Sequence, residues 1–441
     1  MLPVGGKQMN KGEWVVVVGR RDQVEEIDFI QKLGYKVVLL NTVISMEDAL
    51  NADLPVEVDL NDEAAVLRKV SELAGRCRIG AVYTCNEYRL ILGAKIAEAL
   101  KLPHVLSVEA ASNCRSKART RALLREHNVN PVAFKLVRTP AEALQALARS
   151  EISLPAIVKP SNDAGSHMVS RCETLEEVWQ AVEAIRSSGA NWVGQPLEAD
   201  ILLEEFVDGP EYSVECCTVN GITTVIAITA KETAGMIETG HLVPAPLAAE
   251  EQKAVEAIVI QALKVLGVDY IVSHTEVKLS AAGPKIIEVN ARMGGDQIHR
   301  LVEAVTGYDL RKLAFHIAAG GTLDDAPRNL PIATSAQIAF LLAGQSGIVR
   351  LQREAVGSIE GVQELKLLVE DGQRVLASHS NYNRLGYVIA YGSKDKHASD
   401  HVRAAIDALQ LTIDAWQQPQ DGGQAEPIGK QPAVSCCKPG A

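Results

Sequence analysis

Glu288, Asn290 and Arg292 occupy alternate positions of "PKIIEVNARMGGDQIHR" (residues 284–300), a run that opens as a β-branched, strand-like stretch. Alternate residues of a strand point to one side of the sheet, so a carboxylate, an amide and a guanidinium share a face. A second strand-like run, "YIVSHTEVKL", precedes it across the turn sequence "SAAGP". With that turn as a hairpin loop and Leu279 opposite Lys285, Glu276 falls directly across from Glu288. Cross-strand Cβ atoms on one face lie about 5 Å apart, where two bare carboxylates repel. A divalent cation between them reverses the sign of that interaction. Asn290 adds a neutral oxygen, and an all-oxygen set of this kind suits Mg²⁺. Arg292, one step on, offers a forked donor to a phosphate or a developing oxyanion. By spacing alone the row fits a solvated sheet face equally well, with Lys278 and Lys285 offsetting the charge.

The elements that must carry this hairpin read as alternating strands and helices. "WVVVVG" from Trp14 is a buried parallel strand, "DQVEEIDFIQKLG" a helix closed by Gly34, and "YKVVLL" a second strand. "IGAVYT" and the helix "YRLILGAKIAEALKL" complete a small doubly wound α/β unit, whose "GRRD" turn is no dinucleotide fingerprint. A helix over Ser116 to His127 precedes a strand pair broken by turns. "AIVKP" then runs into the polar loop "SNDAGSHMV", and the helix "TLEEVWQAVEAIRSSG" follows. "ILLEEFVDGPEYSVECCTVNGITTVIAI" reads as a strand, a turn at Asp208-Gly209-Pro210 and a hairpin turning at Asn220-Gly221. The segment "KETAGMIETGHLVPAPL" has no clear periodicity, and the helix "EEQKAVEAIVIQALKVLG" leads to the acidic hairpin. Beyond about Asp325 a further α+β unit has strands in "AQIAFLLAG" and "LGYVIAYG" and a closing helix "HASDHVRAAIDAL". The Pro-, Gly- and Gln-rich end from Gln417 predicts a disordered tail.

The totals bound the function. A chain of 441 residues is too long for one core and allows about three domains. A net charge of −11 argues against nucleic-acid binding, which needs a basic face. No apolar run approaches the roughly 20 residues of a membrane span, and the N-terminal residues lack signal-peptide character. Eight cysteines without a CxxC pair predict reduced thiols in a cytoplasmic protein. Cys216-Cys217 reads as strand packing and Cys436-Cys437 lies in the tail.

In order and spacing, "AIVKP", "LLEEFVDGPEYSVE", "TEVKL" and "IIEVNARMGGD" resemble the successive motifs of the ATP-grasp superfamily, over roughly residues 14–415. The set looks most like the carboxylate–amine ligases, in particular bacterial L-amino-acid ligases. The resemblance implies an ATP-grasp fold within an α/β and α+β multidomain chain. Its expected parts are an N-terminal Rossmann-like domain (1–111), a lid subdomain (112–200), a central subdomain with the metal site (201–325), a C-terminal α+β subdomain (326–415) and the tail (416–441).

Carried over by motif, Lys117 is expected to reach the α-phosphate and Lys159 to lie beside the triphosphate. Glu204 would accept from the adenine amino group, the backbone of Glu205, Phe206 and Val207 would form the adenine hinge, and Glu211 would hold the ribose hydroxyls. Glu276, Glu288 and Asn290 match the ligands of two Mg²⁺ ions, with Mn²⁺ able to substitute, and Arg292 the arginine that steadies the transferred phosphate and the acyl intermediate. One departure is the loop after Lys159, which holds a single glycine, Gly165, beside the candidate phosphate donors Ser161, Asn162, Ser166 and His167.

At the substrate end, Glu238 and His241 form an ExxH element like one that lines the acceptor pocket of such ligases. There Glu238 would hold a substrate ammonium and His241 contact the acyl phosphate or a carboxylate. Glu87, at a strand end of the first unit, is either a substrate contact or a carboxylate in the N-cap region of the next helix. Asp296 either meets a substrate amine or caps the helix that follows. The implied activity is amide formation through an acyl phosphate, with release of ADP and phosphate, from small carboxylate and amine substrates. Two alternatives are another ATP-grasp reaction (a biotin-type carboxylase or purine-pathway ligase) and a non-catalytic ATP-binding module. A homodimer is the default assembly.

Overall fold

The computed structural model describes residues 9–19, 25–129, 132–353 and 356–415. The tail after 415, with Cys436-Cys437, and most of the "GRRD" turn lie outside them. The first unit is a parallel sheet in the order β3-β2-β1-β4, from β1 (Trp14–Val18), β2 (Lys36–Asn41), β3 (Leu54–Glu57) and β4 (Ile79–Tyr83). Apolar side chains on both faces of β1 and β2 are fully buried, as a doubly covered parallel sheet requires.

The second sheet is antiparallel and joins β5 (Phe134–Val137), β6 (Ala156–Pro160), β7 (Ser170–Cys172) and β8 (Ile201–Glu205) in the order β5-β8-β6-β7. β8 thus pairs within this sheet and crosses the expected boundary at 200/201. The expected strand pair after the helix Lys117–Glu126 is instead β5, a helix over Pro140–Ala148, and β6. The local signal for that helix is Thr139, whose side chain accepts from the Glu142 N–H, with proline in the first turn.

The third sheet carries the acidic hairpin. It contains β9 (Glu211–Val219), β10 (Ile222–Ala234), β11 (Ile237–Val243), β12 (Ile271–Ser280) and β13 (Gly283–Asn290). Asn220 and Gly221, both at positive φ, form the two-residue turn between β9 and β10, as "NG" predicts. The segment "KETAGMIETGHLV", which lacks sequence periodicity, is the end of β10 and all of β11. A register shift between Glu232 and Thr233 breaks its alternation, which hides a strand from a period-two reading.

After Asp325 come β14 (Ser335–Leu341), β15 (Gly347–Arg350), β16 (Val362–Leu367), β17 (Arg374–Val375), β18 (Gly386–Gly392) and β19 (Thr412–Ala415). β15, β17 and β19 make a small sheet of their own, while β14, β18 and β16 extend the third one. Its order is β13-β12-β9-β10-β11-β14-β18-β16, so one sheet runs through the expected boundary at 325/326. Residues of the C-terminal unit are thereby held beside β11, with the acidic hairpin at the far end of the same sheet.

Candidate active site

Glu276 and Glu288 are register partners, as the hairpin reading expects. The route to that pairing differs. The strands extend to a Ser280–Gly283 pair, Leu279 faces Pro284 and Lys278 faces Lys285, and a register shift between Glu276 and Val277 restores the Glu–Glu pairing. The bulge has a consequence for charge. It brings Lys285 to the same face as Glu288 despite their odd spacing, and Lys285 Nζ meets Glu205 Oε1 at 2.5 Å. The carbonyls of Ile286 and Ile287 accept from Arg121 Nη1 and Nη2 at 2.8 and 2.9 Å. A buried guanidinium therefore satisfies the irregular stretch of backbone.

The facing carboxylates are held apart from mutual repulsion by protein cations, and not by Lys278 and Lys285 as the solvated-face reading expects. Lys231 Nζ lies 2.8 Å from Glu211, 2.9 Å from Glu238 and 2.8 Å from Glu276, matching one carboxylate to each ammonium N–H. Lys117 Nζ lies 3.0 Å from Glu288 Oε1 and donates to the Asp163 carbonyl at 2.7 Å. His274, the register partner of Asn290, is sandwiched between Glu215 and Glu276. Burial disfavours its charged form, but the two carboxylates outweigh burial and raise its pKa to about 9. Burial likewise works against the charge on Glu276, which Lys231 and His274 hold well below the usual carboxylate range. Lys231 has no signal in the sequence reading, because its three partners lie on three other strands or stretches of chain.

The face looks into a cleft of about 350 Å³. Lys117, Lys159, Ser166, the hinge residues Glu204 to Val207, and Glu211 all line it, together with Glu238, Glu276 and Glu288. Glu204 differs from expectation. Its Oε1 takes Arg121 Nε at 2.7 Å and its Oε2 takes Lys159 Nζ at 2.8 Å, all three side chains being buried. Burial opposes its ionisation, yet Arg121 and Lys159 bring its pKa down to about 2. This carboxylate anchors cations beneath the cleft instead of offering itself to an adenine amino group. Burial, with help from Arg121 and Lys117, in turn holds Lys159 below the usual ammonium range although Glu204 opposes them. Phe206 in the hinge is flanked by Arg171 and Lys278, at 4.1 and 5.0 Å from its ring centre.

The single-glycine loop is braced from within. Asp163 accepts from the Tyr88 hydroxyl and the Ala164 N–H and meets His167 Nδ1 at 2.6 Å. Ser161 is fully buried against Glu198, and the Asn162 side chain bonds to the backbone of Pro196 and Glu198. These two side chains are turned into the protein, which corrects their reading as phosphate donors. Ser166 and His167 remain on the cleft wall.

A second group lies along the same sheet. Glu238 and His241 of β11 meet Asp296, with His241 Nε2 at 3.7 and 3.6 Å from their nearest oxygens. Arg384 completes the group, donating to Asp296 Oδ2 at 2.8 Å and to the Glu238 carbonyl at 3.1 Å. Asp296 caps no helix. The helix Ile298–Thr306 has Gln297 at its N-cap with no side-chain bond, which removes the cap alternative. Burial raises the Asp296 pKa, but His241 and Arg384 hold it well below the usual carboxylate range.

Glu87 is buried, and its Oε2 lies 2.7 Å from Arg292 Nε, an ion pair without hydrogen-bond alignment. The cap of the adjoining 3₁₀ turn is Asn86 and Glu87 stands in its first turn, so Glu87 is in the N-cap region as one of its two readings expects. Its carboxylate orients the arginine expected to meet the reacting centre. Arg121, Lys231 and Arg384 are further residues of these sites. None sits in a motif that brings chemistry to mind by local pattern.

Comparison with known proteins assigns these regions independently. Residues 152–300 match the ATP-grasp domain, 30–104 the ATP-grasp N-terminal domain and 339–414 the L-amino acid ligase C-terminal domain 2. An uncharacterized protein, y4rH, of Sinorhizobium fredii is 27% identical over 91% of this chain and 83% of its own length. The alanine–anticapsin ligase of Bacillus subtilis is 28% identical over 61% of this chain, which spans 60% of that ligase. The crystal structure of an L-amino acid ligase from Bacillus licheniformis superposes with a TM-score of 0.75, covering 93% of this chain and 100% of that one, at 24% identity. That likeness shows the same fold.

Proposed function

The chain belongs to the ATP-grasp ligases, close to the L-amino-acid ligases, and from that premise we propose that it joins an amino-acid-like carboxylate to an amine or amino acid by way of an acyl phosphate. The observation that carries this reading is the shared cleft. Two buried lysines, the segment Glu205 to Val207 and a facing pair of glutamates line it, and Glu238 on the same lining meets His241, which meets Asp296.

The nucleotide would lie with its base against Glu205, Phe206 and Val207, its ribose toward Glu211 and its phosphates toward Lys117, Lys159 and Ser166. Membership of the superfamily implies ATP and a divalent metal. The residues present fit such an ion by exchange, since Glu288 is now paired with Lys117 and Glu276 with Lys231 and His274. Glu276, Glu288 and Asn290 would hold Mg²⁺, as two ions with Mn²⁺ able to substitute, and the ion supplies charge compensation on the phosphates. Lys117, freed from Glu288, would gain a phosphate partner.

The substrate carboxylate attacks the γ-phosphorus, forming a C–O–P linkage and breaking the bond to the departing ADP. The amine then attacks the acyl carbon, phosphate leaves and an amide remains. Arg292, fixed by Glu87, is placed by motif to stabilise the tetrahedral oxyanion. Glu238 and Asp296 face the amine. The expected assembly is a homodimer, which light scattering checks.

The test is ADP and phosphate release over a panel of amino acids with hydroxylamine as a generic amine. Acid-dependent ADP release with hydroxamate formation supports the reading. AMP and pyrophosphate as products, or hydrolysis indifferent to every carboxylate, would overturn it.

A further inference from the structure

Asp296 and Glu238 point their carboxylates at one spot, close enough for their nearest oxygens and a His241 ring nitrogen to lie within 4.8 Å of one another. Bare, two such groups repel. Lys231 Nζ takes Glu238 Oε1 at 2.9 Å, and the cation that reaches both carboxylates comes from the C-terminal unit. Arg384 Nη1 donates to Asp296 Oδ2 at 2.8 Å, and Nη2 reaches Glu238 Oε2 at 3.4 Å as well as its carbonyl. The guanidinium lies 3.5 Å from the centre of the Phe340 ring and is 8% exposed, so its position is fixed by stacking and burial. The same turn supplies Asn381, whose Oδ1 accepts from the Glu238 N–H at 2.9 Å.

Two further features point to a ligand. His241 is 1% exposed and both of its ring nitrogens lack a hydrogen-bond partner, with Nε2 directed at the two carboxylates. Asp296 and Gln297 are consecutive non-glycine residues at φ +50 and +63, a strained arrangement of the kind retained where a side chain must be aimed. With Lys231 shared among Glu211, Glu238 and Glu276, and Arg384 shared between Asp296 and Glu238, these four carboxylates outnumber their two bridging cations and keep a net negative charge. A primary ammonium matches it, with N–H donors for the carboxylate oxygens.

We propose that Arg384 is a positioning residue of the acceptor pocket, holding Glu238 and Asp296 together as a two-carboxylate receptor for the amine substrate. The inference rests on the ligase reading. It makes the turn 380–384 of the C-terminal unit a determinant of which amine is accepted.

The experiment separates acyl activation from acceptor binding. Hydroxylamine is small and largely neutral at pH 7, so it captures an acyl phosphate without needing the carboxylate pair. In Arg384→Met the KM for an amino-acid acceptor should rise at least tenfold, while the rate of hydroxamate formation falls less than threefold. Arg384→Lys should restore part of the acceptor KM, and Arg384→Met combined with Asp296→Asn should be less than additive. If Arg384→Met does not fold, Arg384→Lys with Asp296→Asn completes the same cycle. Equal losses in both assays, or additive effects on acceptor KM, would overturn the proposal. Absence of hydroxamate from the wild-type protein with every acid tested would instead overturn the ligase reading, and this inference with it.

Discussion

The nucleotide wall and the acceptor group meet on one sheet, where Glu276, Glu288 and Glu238 stand, but are stabilised in different ways. On the nucleotide wall each carboxylate already has a close cation: Glu204 has Arg121 and Lys159, Glu276 has Lys231, and Glu288 has Lys117. These pairs are interlocked, since Lys231 alone joins three carboxylates from three strands. In the acceptor group Glu238 borrows Lys231 from that network, Asp296 has a single arginine from a distant part of the chain, and His241 and Arg384 Nε keep buried atoms without partners. The lesson is one of redundancy. A site that must exchange its internal cations for a triphosphate is built as a network, whereas a site that must select a small amine leaves polar atoms for the ligand to satisfy.

The contrast can be broken hardest on the nucleotide side. Glu276→Gln should lower acid-dependent ADP release on the order of a thousandfold, because it removes a charged ligand from the phosphate site. A steady-state loss under tenfold would remove Glu276 from that role. Arg121→Met should destabilise the fold by about 3–5 kcal/mol in urea denaturation. It strands Glu204 in a buried position and removes the donors of the Ile286 and Ile287 carbonyls. A change below 1 kcal/mol, on the scale typical of an exposed pair, would show that the network is not needed.

The same network sets an acid limit. The Glu204 pKa is depressed from 4.5 to about 2, so its ionised form is favoured by folding. Its contribution, roughly 3 kcal/mol, is present above pH 4.5 and is lost as pH falls toward 2. Glu204→Gln should therefore flatten the stability profile across that window, read from denaturation midpoints at each pH. The smallest effect is expected at the seam between the two regions. Tyr382, on the turn that carries Arg384, donates its hydroxyl to the Gly165 carbonyl of the single-glycine loop at 3.1 Å. Losing one neutral hydrogen bond in Tyr382→Phe amounts to about 0.5–1.5 kcal/mol, a several-fold rise in the KM for ATP. An effect on acceptor KM with none on ATP would assign the turn to the acceptor side alone.

Much of the nucleotide wall was legible in the chain because its parts lie in short contiguous motifs. Period-two alternation places Glu288 and Asn290 on one face, and "NG" and "DGP" mark turns wherever they stand. A compensating register shift preserved the Glu276–Glu288 pairing even though the loop was shorter than the sequence suggested. Neutralising partners have no such signature. Lys231 lies in a bulged strand whose alternation is broken, Arg121 on a helix about 80 residues before its carboxylate, and Arg384 some 90 residues past Asp296.

By itself, then, the sequence determined the hairpin strands around Glu276 and Glu288 and the acidic face they present, since those depend on side-chain periodicity and turn chemistry within a few residues. Only the tertiary structure decided what balances the charge on that face and which unit closes the acceptor pocket. Coulombic pairing depends on distance in space and on shared burial, and neither is encoded by separation along the chain.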